Sequence, residues 1–128
     1  MVMDITSHTH HISQQYNIEL EAIRTHLSEM GGMAQRQVND AIQALIDADV
    51  ERAEQVVRSD TKVNTMEVAI DEECVRILAR RQPAASDLRL VIAVTKAITD
   101  LERIGDEATK IARQAIAMNK DGLSPRGY

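Results

Sequence analysis

The chain has 128 residues, which is enough for one domain that buries a core without the help of disulfides or a metal. Apolar residues make up 44% of the chain, but aromatic residues only 2% and prolines only two positions, a composition that favours helices packed through aliphatic side chains. The formal net charge of −5 argues against nucleic acid as the main partner, because binding to phosphates needs a basic surface.

The first predicted helix spans about residues 12–48. Steps of three and four residues mark one helix face, and the apolar residues that follow these steps are Ile12, Tyr16, Leu20, Ile23, Leu27, Met30, Ala34, Val38, Ala41 and Leu45. Gly31 and Gly32 interrupt this series without changing its phase. We therefore predict a bend or a close helix contact inside one long helix, at a cost of about 1 kcal/mol per glycine. The histidine-rich segment before Ile12 is expected to fray.

The second predicted helix spans about residues 50–81, with Asp47 and Asp49 as candidates for its N-terminal cap. Its apolar series is Val56, Val63, Met66, Ile70, Cys74 and Ile77. Pro83 follows this helix and ends it, because proline disfavours helical conformation in the residue before it. Cys74 lies within the apolar series, so we expect a small buried side chain rather than a reactive thiol.

The third predicted helix spans about residues 86–118, with Ser86 as its N-terminal cap. Its apolar series is Leu90, Val94, Ala97, Leu101, Ile104, Ala108, Ile111 and Ala115. Short connections make consecutive helices antiparallel neighbours, so residues 1–118 are predicted to form an all-α domain, an elongated up-down-up three-helix bundle. Residues 119–128 have the composition of a linker. No stretch approaches the roughly 18 apolar residues of a membrane span, so we expect a cytoplasmic protein.

Two pairs of oxygen-bearing side chains recur at a spacing of four residues, Glu102 and Asp106 on helix 3 and Asp60 and Asn64 on helix 2. Residues four apart share one face of a helix. If the hairpin is centred on Pro83, Asp60 lies beside Asp106 and Asn64 lies beside Glu102. Oxygen donors that converge on one patch are the ligands that a hard cation prefers, whereas like charges repel each other without a cation. The sequence therefore predicts a metal site beside the core.

Two alternatives to this arrangement remain open. A shift of the hairpin centre by two or three residues would place Glu67, rather than Asn64, opposite Glu102. Acidic residues at this spacing are also typical of the solvated face of an amphipathic helix, which needs no cation. Gly105, next to Asp106, would let a neighbouring helix approach closely, because it has no Cβ atom; the alternative is a glycine tolerated on the surface.

Basic residues mark two possible contact points for a partner. Arg81 and Arg89 flank the turn at Pro83, and Arg103 interrupts the acidic segment of helix 3. The sequence contains no Glu-x-x-His pair of the kind that di-iron bundles use, no phosphate-binding glycine loop and no motif for a nucleophilic triad. We therefore assign no catalytic residue.

Three segments, MGGMAQRQVNDAI, VAIDEECVRILARRQPAASDLRLV and DLERIGDEATKIAR, together resemble the PhoU family of phosphate-transport accessory and regulatory proteins. The resemblance implies tandem three-helix repeats, each with acidic motifs that bind metal ions, often iron. Asp60, Glu102 and Asp106 match these motifs, whereas Asn64 departs from them and brings an amide without charge. One repeat is present, so the resemblance implies a fragment in which the linker leads toward an absent second repeat.

The same resemblance implies a regulatory role and no enzymatic activity. The protein would repress the phosphate-starvation regulon when phosphate is plentiful, by linking the phosphate ABC transporter to the sensor histidine kinase PhoR. Expected partners are the transporter ATPase PstB, the PAS domain of PhoR and a second copy in a homodimer, with the membrane reached only through partners. Expected cofactors are iron, manganese or zinc. The alternatives are a metal-binding helical protein with a structural or oligomerisation role, and an enzyme that uses a carboxylate-bound metal.

Overall fold

The protein is a bundle of three long helices. A computed structural model describes residues 2–80 and 84–120, with side chains described for 14–80 and 84–119. The helices are α1 (Val2–Asp47), α2 (Val50–Arg80) and α3 (Ala85–Lys120). Each helix packs against both others, so the predicted all-α three-helix bundle is confirmed. Within the described helices, no stretch is long and apolar enough to cross a membrane.

Helix α1 begins at Val2, well before the predicted start near Ile12. The reason is that no glycine or proline occurs between Val2 and Met30, so nothing interrupts the helix in this direction. The helix also continues through Gly31 and Gly32. The alternative of a close helix contact at these glycines is wrong for Gly31, because no atom lies within 4 Å of the place where its Cβ would stand.

The turn between α1 and α2 is a left-handed cap. Ala48 has a φ of 54°, its amide donates to Leu45 O over 3.4 Å, and the amide of Asp49 donates to Ala44 O over 2.9 Å. This pair of hydrogen bonds is the Schellman pattern, which usually places glycine at the left-handed position. Asp49 then caps α2, as one of the two predicted candidates, because its Oδ1 accepts a hydrogen bond from the amide of Arg52 over 3.1 Å.

Helix α3 starts one residue before the predicted position. The amide of Leu88 donates to Ala84 O over 2.9 Å, so Ala84 occupies the cap position and Ser86 lies inside the first turn. The prediction that Ser86 is the cap is therefore wrong. Ala85 is the first helical residue, which fits the high helix propensity of alanine. Asp87 lies in the first turn, where a negative charge is favoured by the helix dipole. Pro83 lies outside the described residues.

The core consists of two clusters with different side chains. The cluster in the half that contains the α2–α3 connection is made of Leu20, Ile23, Met30, Val63, Ile70, Cys74, Ile77, Val91, Val94 and Ile98. The cluster in the half that contains the α1–α2 turn is made of Ala41, Ala44, Ala53, Val56, Ala108, Ala112 and Ala115. Small side chains allow the helices to approach closely in this second half. Two polar side chains are also buried: Gln37 lies on α1 between the two clusters, and Thr109 lies on α3 next to Ala108 of the second cluster.

Two of the predicted apolar faces are displaced. Helix α1 buries Gln37 and Ala44, whereas Val38 and Leu45 of the predicted series are only half-buried. On α3, Ile104 was expected in the core and is 42% exposed. Each helix of the bundle contacts two neighbours, so its buried face is centred between them, and small or polar residues can occupy that centre.

Candidate functional site

Gly105 of α3 lies close to side chains of both other helices. A Cβ atom at this buried position would stand 2.9 Å from Gln37 Oε1 of α1 and 3.5 Å from Asp60 Oδ1 of α2, with Val63 Cγ1 at 3.7 Å. The close approach that Gly105 predicts is therefore present. The same contact places Asp60 beside Gly105, next to Asp106. This is the register expected for a hairpin centred near Pro83.

Four carboxylates gather beside this point, and we call Asp60, Glu67, Glu102 and Asp106 the acidic cluster. The pKa of Glu102 is raised, first because it hydrogen-bonds to Asp106 and then because it is partly buried. The negative charges of Asp106, Glu67 and Asp60 act in the same direction. Helices α2 and α3 thus hold like charges close together, at a cost that a proton or a cation can relieve.

Asn64 contributes differently from the carboxylates. Its side chain is exposed, and its Nδ2 donates to Asp60 Oδ2 over 3.4 Å. The amide nitrogen, rather than the oxygen, therefore faces the acidic cluster. The two oxygens of Asp60 face different groups. Oδ2 faces Asn64, whereas Oδ1 is buried against Gly105 and has no hydrogen-bond partner among the described residues.

The residues of the acidic cluster fit a hard cation in their chemistry. All of them offer oxygen, the donor that such cations prefer, and the buried Oδ1 of Asp60 lacks a donor partner in the described part of the chain. Among the side chains of residues 14–80 and 84–119, no group of three or more His, Cys, Asp or Glu is arranged to hold one ion. The predicted set of Asp60, Asn64, Glu67, Glu102 and Asp106 remains a prediction.

Sequence reasoning missed the polar residues behind the acidic cluster. Gln37 is 4% exposed, and its Nε2 donates to Ser59 Oγ over 3.0 Å, while Ser59 Oγ donates to Val56 O over 2.7 Å. On α3, Thr109 Oγ1 donates to Gly105 O over 3.0 Å. The signal was in the sequence, because Gln37 lies three residues after one buried alanine and four before the next.

Another polar contact between helices went unpredicted. His26 Nδ1 of α1 lies 2.7 Å from Glu73 Oε1 of α2, at a half-buried position. The thiol of Cys74, next in sequence, is buried as expected, and burial is the main cause that raises its pKa. A raised pKa keeps the thiol protonated, so it is a core side chain rather than a nucleophile.

Of the three arginines predicted to bind partners, two are exposed and one lies outside the described residues. Arg103 is 71% exposed, with Nη1 at 3.8 Å from Asp100 Oδ1 on the same helix. Arg89 is exposed near the start of α3, and Arg81 lies outside the described residues. A loose pair on one exposed helix contributes little to stability, so the guanidinium of Arg103 is free to contact another molecule.

Comparison with known families gives one clear match, because residues 27–115 match the PhoU domain. The chain belongs to the PhoU family. Among curated relatives of this PhoU domain, the phosphate-specific transport system accessory protein PhoU homolog of Pseudomonas aeruginosa is 65% identical over 120 residues, which is 94% of this chain and 50% of the relative. PhoU of Escherichia coli K12 is 55% identical over 114 residues, which is 89% of this chain and 47% of the relative.

Solved structures agree with this membership. The crystal structure of PhoU from Pseudomonas aeruginosa has a TM-score of 0.82 and 63% identity, over 88% of this chain and 54% of that one. The phosphate transport system regulatory protein PhoU from Streptococcus pneumoniae has a TM-score of 0.76 and 31% identity, over 85% of this chain and 52% of that one. The chain therefore spans about half the length of the PhoU proteins that it matches.

Proposed function

We propose that this PhoU domain belongs to a cytoplasmic accessory protein that represses the phosphate-starvation regulon when phosphate is plentiful. In this role it links the phosphate ABC transporter, through the ATPase PstB, to the PAS domain of the sensor histidine kinase PhoR. The observation that carries the proposal is membership of the PhoU family, whose relatives are named as accessory proteins of phosphate-specific transport. These names also favour an accessory role over a catalytic one.

The described structure suits an adaptor. Three long helices that all contact one another form a stiff body, on which exposed charges can steer association with partners. Arg103 is the best candidate for a contact, because it is exposed and its only described ion pair is loose. Arg89 is exposed on the same helix, and Arg81 retains its role from the sequence alone.

The proposal is tested by measuring the affinity of the chain for the PAS domain of PhoR and for PstB. We expect Arg103→Ala to weaken binding to the PAS domain by about tenfold, as truncation of an interface arginine commonly does, and to leave urea unfolding unchanged. Arg58→Ala is the matched control, because Arg58 is also exposed and pairs loosely with Glu54 of its own helix at 3.9 Å.

Two results would count against the adaptor role. Equal affinities of wild type, Arg103→Ala and Arg58→Ala would remove Arg103 from the interface. Binding of wild type to neither the PAS domain nor PstB would remove the link between the kinase and the transporter for this domain.

A second part of the proposal is that the acidic cluster, with Asn64, binds iron, manganese or zinc. It is supported by the Glu102–Asp106 contact, which raises the pKa of Glu102, and by the additional negative charges of Glu67 and Asp60 beside it. A bound cation would neutralise these charges and tie α2 to α3. The chain's own residues would only hold the ion, so the proposed role is structural or regulatory and not catalytic.

An oligomeric role is the alternative with structural support. Large apolar side chains are exposed on α2 and α3, namely Val68, Val75, Leu78, Leu88 and Ile92. Exposed apolar surface of this kind is typical of faces that associate, and it supports the proposed homodimer. Sedimentation of the chain over a range of concentrations tests this alternative, and a monomer at every concentration would contradict it.

A further inference from the structure

Two buried oxygens without donors face the same point in the bundle. Gln37 Oε1 and Asp60 Oδ1 are both buried, and neither accepts a hydrogen bond from any described residue. Both lie against Gly105, at 2.9 Å and 3.5 Å from the place where its Cβ would stand. A buried acceptor without a donor costs about 1–3 kcal/mol, so two of them at one point require a physical explanation.

The amide of Gln37 can resolve both at once. In the structure its Nε2 donates to Ser59 Oγ, and the hydroxyl of Ser59 donates to Val56 O. A half-turn of the amide about its Cγ–Cδ bond exchanges nitrogen and oxygen. Nε2 then takes the place of Oε1 beside Gly105, on the side where Asp60 Oδ1 lies, and Oε1 is brought to the Ser59 hydroxyl, which can turn to donate to it. Val56 O loses the hydrogen bond from Ser59 but keeps a donor, because a carbonyl within a helix also accepts a hydrogen bond from the backbone.

We propose that Gln37 is a positioning residue for the acidic cluster, donating from α1 to the inner oxygen of Asp60. With Oδ1 held in this way, Oδ2 is directed outward, where Asn64 already contacts it. A hydrogen bond from an amide to a carboxylate is charge-assisted and stronger than one between neutral groups. The acidic cluster is then supported by all three helices, although its carboxylates come from α2 and α3 only.

Gly105 gains a specific purpose from this arrangement. Only a residue without a side chain leaves room for the amide of Gln37 and the carboxylate of Asp60 beside α3. The polar contact is also placed between the large aliphatic cluster and the alanine-rich cluster of the core. A paired polar group at this level fixes the relative positions of α1 and α2, because sliding either helix by one turn would separate the partners.

A double-mutant cycle tests the contact directly. The variants are Gln37→Met, which keeps the length of the side chain without hydrogen-bonding groups, Asp60→Ala, and both together, compared by urea unfolding. We expect the pair to be coupled favourably by about tenfold in the folding equilibrium constant. Gln35→Met with Asp60→Ala is the control cycle, because Gln35 is exposed on the same helix. Additive effects in the Gln37 cycle, or coupling of the opposite sign, would overturn the proposal.

A second measurement separates positioning from simple packing, and it rests on the proposed cation role. Removal of a residue that orients a metal ligand typically weakens affinity by about 10–100-fold. We therefore expect Gln37→Met to bind Mn²⁺ at least tenfold more weakly than wild type or Gln35→Met. Equal Mn²⁺ affinity would overturn the positioning role. Absence of Mn²⁺ binding by wild type would instead remove the cation role alone, and the unfolding cycle would still decide the Gln37 contact.

Discussion

At Gly105, helix α3 contains a residue of low helix propensity, and the missing side chain leaves space for side chains of the other helices. The position is buried, and its Cα faces polar atoms from both other helices. Gly31 is also inside a helix, but the space above it is open. The two glycines have the same chemistry and opposite surroundings, so their replacement by alanine distinguishes packing from propensity.

We predict that Gly105→Ala destabilises the chain by about 1 kcal/mol, because overpacking costs about 1–3 kcal/mol and offsets the gain of about 1 kcal/mol in helix propensity. The new methyl group would meet Gln37 Oε1 at 2.9 Å, so the buried amide must move. The measurement is urea unfolding. Gly31→Ala is the control and should stabilise the chain by about 1 kcal/mol. Equal stabilisation by both variants would show that the space beside Gly105 accepts a methyl group without strain.

Ala48 is the second residue with a local cost. Its φ of 54° places a Cβ-bearing residue in the left-handed region, where non-glycine residues lose about 1–2 kcal/mol. We predict that Ala48→Gly raises the free energy of unfolding by about 1 kcal/mol. Ala93→Gly, at an exposed position inside α3, should lower it by a similar amount. Thermal or urea unfolding of the two variants checks this, and destabilisation by Ala48→Gly would refute the strained cap.

At the scale of the helices, like charges lie close together, first at Glu102 and Asp106 within α3 and then between α3 and Glu67 and Asp60 of α2. This arrangement has a consequence for pH, because the pKa of Glu102 is raised above its usual value of 4.5. The folded chain therefore binds this proton more tightly than the unfolded chain does. The stabilisation is fully present below the unfolded pKa and is lost as pH rises through the higher folded pKa.

We therefore predict that the free energy of unfolding falls as pH rises from 4.5 through the titration of Glu102, in buffers without divalent cations. Glu102→Gln should flatten this part of the profile, since the amide does not titrate. Glu72→Gln, at an exposed site on α2, is the control and should keep the wild-type slope. A Glu102→Gln profile parallel to that of wild type would contradict the raised pKa of Glu102 in the folded chain.

At the scale of the whole molecule, the proposed cation site can be tested on purified chain by elemental analysis. We expect iron, manganese or zinc in wild type and its loss in Glu102→Gln/Asp106→Asn, because these changes remove two of the carboxylates on α3. Glu51→Gln/Glu72→Gln changes two exposed carboxylates on α2 and should retain the metal. No metal in wild type, with both variants folded, would make the acidic cluster a solvated or partner-binding face.

The sequence by itself determined the number of helices, their order, the turn at Asp49 and the buried series of α2, apart from Met66, which is half-buried, and Ala53, which is buried and was not predicted. Periodicity and capping are local properties, so neighbouring residues suffice to predict them. It also indicated that the carboxylates of α2 and α3 would meet, because a short hairpin sets the register. Ser86 and Ile104 were misplaced, since single-residue boundaries and the exact centre of a buried face depend on packing.

Only the tertiary structure decided which side chains stand behind the acidic cluster. Gln37 is far from Asp60 in sequence and on a different helix, and nothing in its local pattern says which residue it will meet. Its burial depends on how α1 rests against both neighbours, and its contact with Gly105 requires a backbone approach that only one glycine permits. Long-range polar contacts of this kind arise from the geometry of three packed helices, not from the propensity of any one of them.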